Sequence, residues 1–97
     1  MQTWAFIYTL GSEDAPARTD RVGSPACTLV AVGVPAAADA VGVIDDLLAE
    51  GVQLIELCGA FGPAETALVQ QAVGGRVPVG MVTYPCAEAP GLHSLFG

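Results

Sequence analysis

Three short apolar runs separated by two helical segments constrain the fold of this chain more than any other feature. The runs are Cys27–Val34, Val52–Cys58 and Pro78–Tyr84. Because strand, helix, strand, helix and strand follow one another, the strands are expected to pair in parallel through right-handed crossovers. The nearly continuous hydrophobicity of the runs is typical of a parallel sheet that is covered on both faces.

The other predicted elements are a first strand, a long polar loop, two main helices and a short C-terminal helix, at residues 4–10, 12–25, 36–50, 63–73 and 90–96. Gly51 follows the first helix at a position where glycine ends helices. Pro63 opens the second helix at the position where proline is favoured, and Gly74 and Gly75 end it. The polar segment before the second strand has no clear periodicity, which indicates a loop.

Together these elements predict one α/β domain over residues 1–97. We expect a small three-layer Rossmann-like or flavodoxin-like domain, with about four mostly parallel strands, two main helices and a short C-terminal helix. A ferredoxin-like βαββαβ arrangement is the main alternative. The second helix is followed by one strand and no hairpin signal is visible, so the first arrangement is favoured.

The composition predicts self-association. The chain is 53% apolar, has a mean hydropathy of +0.56 and contains 13% charged residues, whereas about 25% is usual for globular domains. A monomer of 97 residues with this composition would expose much apolar surface to water. We therefore expect a homo-oligomer, most simply a symmetric dimer.

The charge excludes several classes of partner. Ten acidic residues against Arg18, Arg21 and Arg76 give a net charge of −7, and lysine is absent. Nucleic acids and anionic membrane surfaces bind through clustered cations, which this sequence lacks, so neither is expected as a partner.

Several further features predict a soluble cytoplasmic protein. No charge-free apolar stretch approaches the about 18–20 residues needed to span a membrane. The N-terminal residues lack the basic region of a signal peptide. The three cysteines, an odd number without C-x-x-C spacing, are typical of reduced thiols rather than of a disulfide framework.

Glu56 is the first candidate for a catalytic residue, because it interrupts the most hydrophobic predicted strand. Burial of an unpaired charge is costly, so the carboxylate should be paired, protonated or exposed to a cleft. Burial would raise its pKa towards neutrality, as proton transfer near pH 7 requires. Alternatively, Glu56 pairs with Arg76, caps a backbone group or contributes to a subunit interface.

Cys58 is the second candidate, because alternation places it on the same face as Glu56 near the carboxyl end of the strand. A nearby helix N-terminus would lower the pKa of the thiol, whereas an ionised Glu56 would raise it. His93 would meet Cys58 if the C-terminal helix folds over the strand ends. The alternatives are an ordinary core cysteine and a surface histidine.

Further residues are predicted to bind a small molecule at the same sheet edge. They are Tyr8, Gly59, Phe61, Gly62, Thr83, Tyr84 and His93. Backbone donors of the loop at 59–62 are expected to stabilise developing negative charge, as in an oxyanion hole. The sequence contains neither a phosphate-binding loop nor a zinc-ligand pattern, so we expect no cofactor and no metal.

The segments WAFIY, VAVGVP, GVQLIELCGAFGP and GGRVPVG resemble a family of short bacterial proteins classed as a domain of unknown function. The element I-E-L-C-G-x-F-G-P is the most specific part of this resemblance. The resemblance implies a compact α/β domain, and it transfers no catalytic residue because the family has no established activity. The chain departs from the family pattern in the loop at 12–25 and at Ala60, where glycine is expected.

The functional prediction is a small cofactor-independent enzyme of isomerase, lyase or cyclase type. Glu56 would transfer a proton on a small organic molecule, next to Cys58 and the glycine-rich loop. A non-catalytic small-molecule binding protein and a structural homo-oligomeric module are the alternatives.

Overall fold

A computed structural model describes residues 2–97. Its centre is a five-stranded sheet with the strands β1 Thr3–Thr9, β2 Arg18–Ser24, β3 Cys27–Val34, β4 Ile55–Leu57 and β5 Val79–Met81. The strand order is β2-β3-β1-β4-β5. Neighbouring strands pair in parallel except for β2 and β3, which are antiparallel. The predicted α/β class with a mostly parallel sheet is therefore confirmed.

Three α-helices accompany the sheet in the described residues: α1 Ile44–Ala49, α2 Pro63–Val73 and α3 Ala89–Phe96. The predicted helix at 36–50 begins as a 3-10 segment at 37–43 and becomes α-helical at Ile44. Val41, Gly42 and Val43 form a run of weak helix formers just before this change. No helix in the described part of the chain combines the length and apolarity needed to cross a membrane.

The predicted number of four strands is wrong, because the segment predicted as a loop at 12–25 contains β2. This strand forms a hairpin with β3, and the Ser24 hydroxyl accepts hydrogen bonds from the N–H groups of Ala26 and Cys27 in the turn. β2 lies at the edge of the sheet, and every residue in it except Asp20 is exposed. A polar edge strand lacks the apolar alternation by which strands are recognised.

The core lies on one side of the sheet. The buried strand residues occupy alternate positions and pack with buried residues of the helices; this set is Ala5, Ile7, Val30, Val32, Val34, Ile55, Leu57, Ile44, Leu47, Val69 and Val73. Both α1 and the preceding 3-10 segment contact α2, so these elements form one helical layer. Two layers thus stand where three were predicted, and the Rossmann-like or flavodoxin-like assignment is not confirmed.

We call the other side of the sheet the open face. Its side chains come from Arg18, Asp20 and Val22 on β2, Leu29 and Ala31 on β3, Trp4, Phe6 and Tyr8 on β1, and Glu56 on β4. Two further positions on this face are glycines, Gly33 and Gly80, and therefore carry no side chain. A Cβ atom on Gly33 would lie 2.8 Å from Cζ of Tyr8, so glycine is what allows the tyrosine ring to cover β3.

An ion pair lies at the β2 margin of the open face. Arg18 donates hydrogen bonds of 2.8 and 3.0 Å to the two carboxylate oxygens of Asp20. These bonds lower the pKa of Asp20 and raise the pKa of Arg18. Both side chains are solvent-exposed, so the pair organises charge on this margin and adds little stability.

Replacement of Gly74 tests the end of α2. Gly74 adopts a left-handed conformation, with φ 63° and ψ 34°, and its N–H donates to the Gln70 carbonyl. We expect Gly74→Ala to lower the free energy of unfolding by about 1 kcal/mol in urea denaturation, because a side chain is strained in this conformation. The control is Gly42→Ala, where φ is not positive and a Cβ atom meets nothing within 4 Å. Equal stability of both variants would contradict this account.

Candidate functional site

A cavity of about 670 Å³ lies between α3 and the carboxyl ends of the sheet strands. Its lining residues are Thr9, Cys58, Gly59, Ala60, Tyr84, Leu92, His93, Phe96 and Gly97. Ligand sites in proteins typically have volumes of about 300–1,000 Å³, and the carboxyl edge of a parallel sheet is their usual position in α/β folds. Size and position therefore both suit a small-molecule site.

Backbone pairing that continues beyond β4 positions Cys58 at this edge. The Cys58 N–H donates to the Ile7 carbonyl at 3.0 Å, and the Val82 N–H donates to the Leu57 carbonyl at 2.9 Å. Cys58 is thereby held beside the end of β1, where Thr9 lines the same cavity. The thiol is partly buried, whereas Cys27 and Cys86 are exposed, and all three cysteines are free.

The loop after Cys58 is fixed by Phe61. The Phe61 side chain is 1% exposed and belongs to the core, and its N–H donates to the Cys58 carbonyl at 3.1 Å. The Phe61 side chain therefore anchors the loop to the core and does not line the cavity. At Gly59, a Cβ atom would stand 3.5 Å from Cε1 of Tyr84, so the tyrosine ring packs closely over the loop backbone.

The N-terminus of α2 is occupied by an acidic side chain of the chain itself. Gly62 precedes the helix, and its N–H donates to Oε1 of Glu65 at 3.3 Å. A carboxylate here complements the positive end of the helix dipole. The loop at 59–62 was expected to supply oxyanion donors, and two of its N–H groups, those of Phe61 and Gly62, are thus engaged within the protein.

Glu56 is exposed on the open face, so the prediction that it is buried is wrong. The helices cover one side of β4, and Ile55 and Leu57 point to that side. The Glu56 side chain points to the opposite side, where its Cγ lies 3.9 Å from the position of a Cβ atom on Gly80. The desolvation that made Glu56 a candidate acid or base is therefore absent. Its expected partner Arg76 pairs with Asp45 at 3.4 Å.

The structure brings together four of the predicted site residues: Cys58, Gly59, Tyr84 and His93. It places the other five elsewhere: Glu56 and Tyr8 on the open face, Phe61 in the core, Gly62 at the start of α2 and Thr83 in an exposed position outside the cavity wall. The folding of α3 towards the strand ends, which was the condition for Cys58 and His93 to approach each other, is present.

Five lining residues are not among the predicted binding residues: Thr9, Ala60, Leu92, Phe96 and Gly97. Two of them carried a usable signal, because Leu92 and Phe96 are four residues apart and therefore share one face of α3. Thr9 lies near the carboxyl end of the first predicted strand at 4–10, which comes beside the third predicted strand if the two are neighbours. That neighbourhood depends on strand order, which the sequence did not specify.

The wall of the cavity is mainly apolar and contains no Asp, Glu, Lys or Arg. Its polar side-chain groups are the Thr9 hydroxyl, the Cys58 thiol, the Tyr84 phenol and the His93 imidazole. These groups can donate or accept hydrogen bonds, and the thiol and the imidazole can also react. Within residues 2–97, no group of three or more His, Cys, Asp or Glu side chains lies close enough together to hold a metal ion.

Comparisons with known proteins identify a family without adding an activity. No curated protein and no solved structure matches the chain. A family model does match, and it covers residues 2–97. The match spans nearly the whole sequence, and the chain therefore belongs to the family of unknown function DUF6506.

Proposed function

We propose that this protein binds a small, largely apolar molecule in the cavity beside α3. The observation that carries the proposal is the cavity itself, about 670 Å³ in volume and lined mainly by apolar groups with a few polar ones. This combination is characteristic of small-molecule sites. The non-catalytic binding protein, one of the alternatives considered from the sequence, thus becomes the leading function.

Exposed apolar side chains on α3 would favour ligand binding, because a bound molecule would cover them. Phe96 lines the cavity and is 83% exposed, and Leu92 lines it and is partly buried. A ligand in the cavity would remove part of this surface from water, at about 25 cal/mol for each Å² of apolar area. The hydrophobic contribution would therefore come mainly from α3.

The negative charge of the chain and the lack of cations in the cavity wall limit the class of ligand. The chain carries a net charge of −7, no Arg or Lys lines the cavity, and Glu65 already occupies the nearby helix N-terminus. Phosphorylated and polyanionic molecules are therefore disfavoured. Thr9, Tyr84 and His93 provide hydrogen-bonding groups, so the ligand class is a neutral aromatic or aliphatic molecule with one or two polar substituents.

Filling the cavity tests this function. Ala60 is exposed and lines the cavity, so Ala60→Trp should occupy ligand space without disturbing the core. We expect at least about tenfold weaker binding of the neutral dye N-phenyl-1-naphthylamine, measured by fluorescence titration, since lost contact area costs on the order of 1–2 kcal/mol. The matched control is Ala67→Trp, on the exposed side of α2 and outside the cavity.

The control should bind the dye as the unmodified protein does. If the unmodified protein does not bind the dye, or if both tryptophan variants bind it equally well, the cavity is not the binding site and the proposal fails.

Cofactor-independent catalysis is the second candidate function. Its reaction, hydrolysis, and its residue roles both differ from the predicted isomerase, lyase or cyclase chemistry of Glu56. The observation that favours it is that Cys58 and His93 line one cavity. His93 would accept the thiol proton, and the thiolate would attack an ester or thioester carbonyl and expel the alcohol or thiol. Water would then hydrolyse the acyl-Cys58 intermediate to release the acid. Glu56 has no part in this scheme, because it does not line the cavity.

Acylation by p-nitrophenyl acetate tests the second candidate. We expect release of p-nitrophenolate with acetylation confined to Cys58, located by peptide mass spectrometry. His93→Gln should slow acylation by about tenfold or more, because general-base catalysis typically contributes 10²–10⁴-fold. Cys86→Ser serves as the control, since Cys86 is exposed and lies outside the cavity. Equal acetylation of all three cysteines, or an unchanged rate in His93→Gln, would leave binding as the function.

A further inference from the structure

Helix α3 is attached to the rest of the protein by few interactions. Within residues 2–97, the last hydrogen bond that ties this end of the chain to the sheet runs from the Val82 N–H to the Leu57 carbonyl at 2.9 Å. Beyond Val82, the hydrogen bonds of the segment at 83–97 stay inside that segment. The ion pairs of the described chain likewise lie outside this segment. Segments with so few ties change position at a low cost in free energy.

Burial gives the same result. Over residues 83–97, Leu92 is partly buried and all other residues are exposed. Leu95 is 76% exposed and Phe96 is 83% exposed. Among the elements of the described chain, α3 packs mainly against the 3-10 turn Cys86–Glu88 that precedes it. The position of α3 in this structure is therefore stabilised by little buried surface.

The side of α3 that faces the cavity is nevertheless apolar. Leu92 and Phe96 are four residues apart, share one face of the helix and line the cavity. Across the cavity lie Thr9, Gly59 and Ala60, which carry small side chains or none. A space of about 670 Å³ separates these two walls. Movement of α3 towards the strand ends would remove apolar surface from water on both sides.

A short segment before α3 can act as a hinge. The Glu88 N–H donates to the Pro85 carbonyl at 2.9 Å, which closes the 3-10 turn, and α3 starts at the next residue. The turn and α3 therefore form one unit. Thr83 and Tyr84 precede this unit, are exposed and belong to neither a helix nor a strand. Small dihedral changes at these two residues would swing the whole unit.

We propose that α3 is a hinged lid that closes over the ligand in the cavity. This inference rests on the proposed binding function, because the ligand drives the closure. A ligand stabilises one of two arrangements only if it binds that arrangement more tightly. An apolar ligand on the strand ends contacts Leu92 and Phe96 more fully when α3 approaches, so binding shifts α3 to the closed arrangement. Lids of this kind exclude water from ligand sites.

The distance between two spin labels, measured by pulsed electron paramagnetic resonance on the full chain, tests the lid. One label is attached to Cys27, which is exposed on β3. The other is attached to the thiol of Ser94→Cys, since Ser94 is exposed on α3 outside the cavity wall. Cys58→Ser and Cys86→Ser remove the two remaining thiols. The ligand is the dye N-phenyl-1-naphthylamine, at a concentration shown by fluorescence titration to saturate each labelled sample.

We expect a broad distribution of distances without the dye, because α3 is weakly held. Saturating dye should narrow the distribution and shift its centre by more than about 2 Å, the scale of loop rearrangements on binding. The control pair is Cys27 with Ala67→Cys, at an exposed position on α2. Its distribution should be narrow and should not change with the dye, because β3 and α2 both belong to the packed body of the protein.

Two matched variants identify the side chain through which the lid closes. Phe96 and Leu95 are both highly exposed on α3, but only Phe96 lines the cavity. With Phe96→Ala, the distribution should stay broad at saturating dye, because the contact that favours closure is lost. With Leu95→Ala, the dye should narrow and shift the distribution as in the unmodified helix. Alanine is a strong helix former, so neither variant should unfold α3.

The possible results separate the lid from the binding function. If the dye binds and the distance from Cys27 to residue 94 does not change, α3 is a fixed wall; the lid is then refuted and the binding function stands. The lid is also refuted if Leu95→Ala and Phe96→Ala abolish the shift equally, because closure would then not act through the cavity. If the unmodified protein does not bind the dye, the binding function fails and the lid fails with it.

Discussion

Packing of one side of the sheet against α1 and α2 determines where every other feature of this protein lies. The strands contribute alternate residues to that core, among them Ile7, Val32 and Leu57, each no more than 3% exposed. Since neighbouring residues of a strand point to opposite sides, the intervening residues must form a second surface. Aromatic side chains, Glu56 and the Arg18–Asp20 pair are therefore displayed together on the open face.

The cavity lies outside this core, but residues packed in the core fix the position of its wall. Phe61 is buried with the core residues and anchors the loop that follows Cys58. Glu65 closes the adjacent helix N-terminus. The cavity is thus bounded by rigid strand ends and a fixed loop on one side and by α3, which buries none of its own residues, on the other. Under the proposed binding function, a weakly packed helix facing the strand ends would accommodate ligands of differing shape with little disturbance of the core.

Local sequence signals predicted the bounds of those elements that begin or end at a proline or a glycine. The strand at Cys27–Val34 and the helix at Pro63–Val73 have the predicted bounds, because Pro35, Pro63 and Gly74 act on the backbone directly. β2 was missed because an exposed edge strand is stabilised by backbone pairing with β3 and not by an apolar pattern. Backbone pairing between distant segments leaves no local trace in the sequence.

Site residues at the carboxyl ends of the strands were predictable. The burial of Glu56 was not, because it depends on whether one or both faces of the sheet are covered. Cys58 and Tyr84 reach the cavity because parallel strands finish at one edge, a rule that needs no side-chain detail. Glu56 was misplaced because the hydrophobicity of β4 does not reveal whether one or both faces are covered. Strand alternation does place Glu56 on the side opposite to Ile55 and Leu57. The assumption that failed was that this side of the sheet is buried, whereas Cys58, beyond the end of β4, packs against the core.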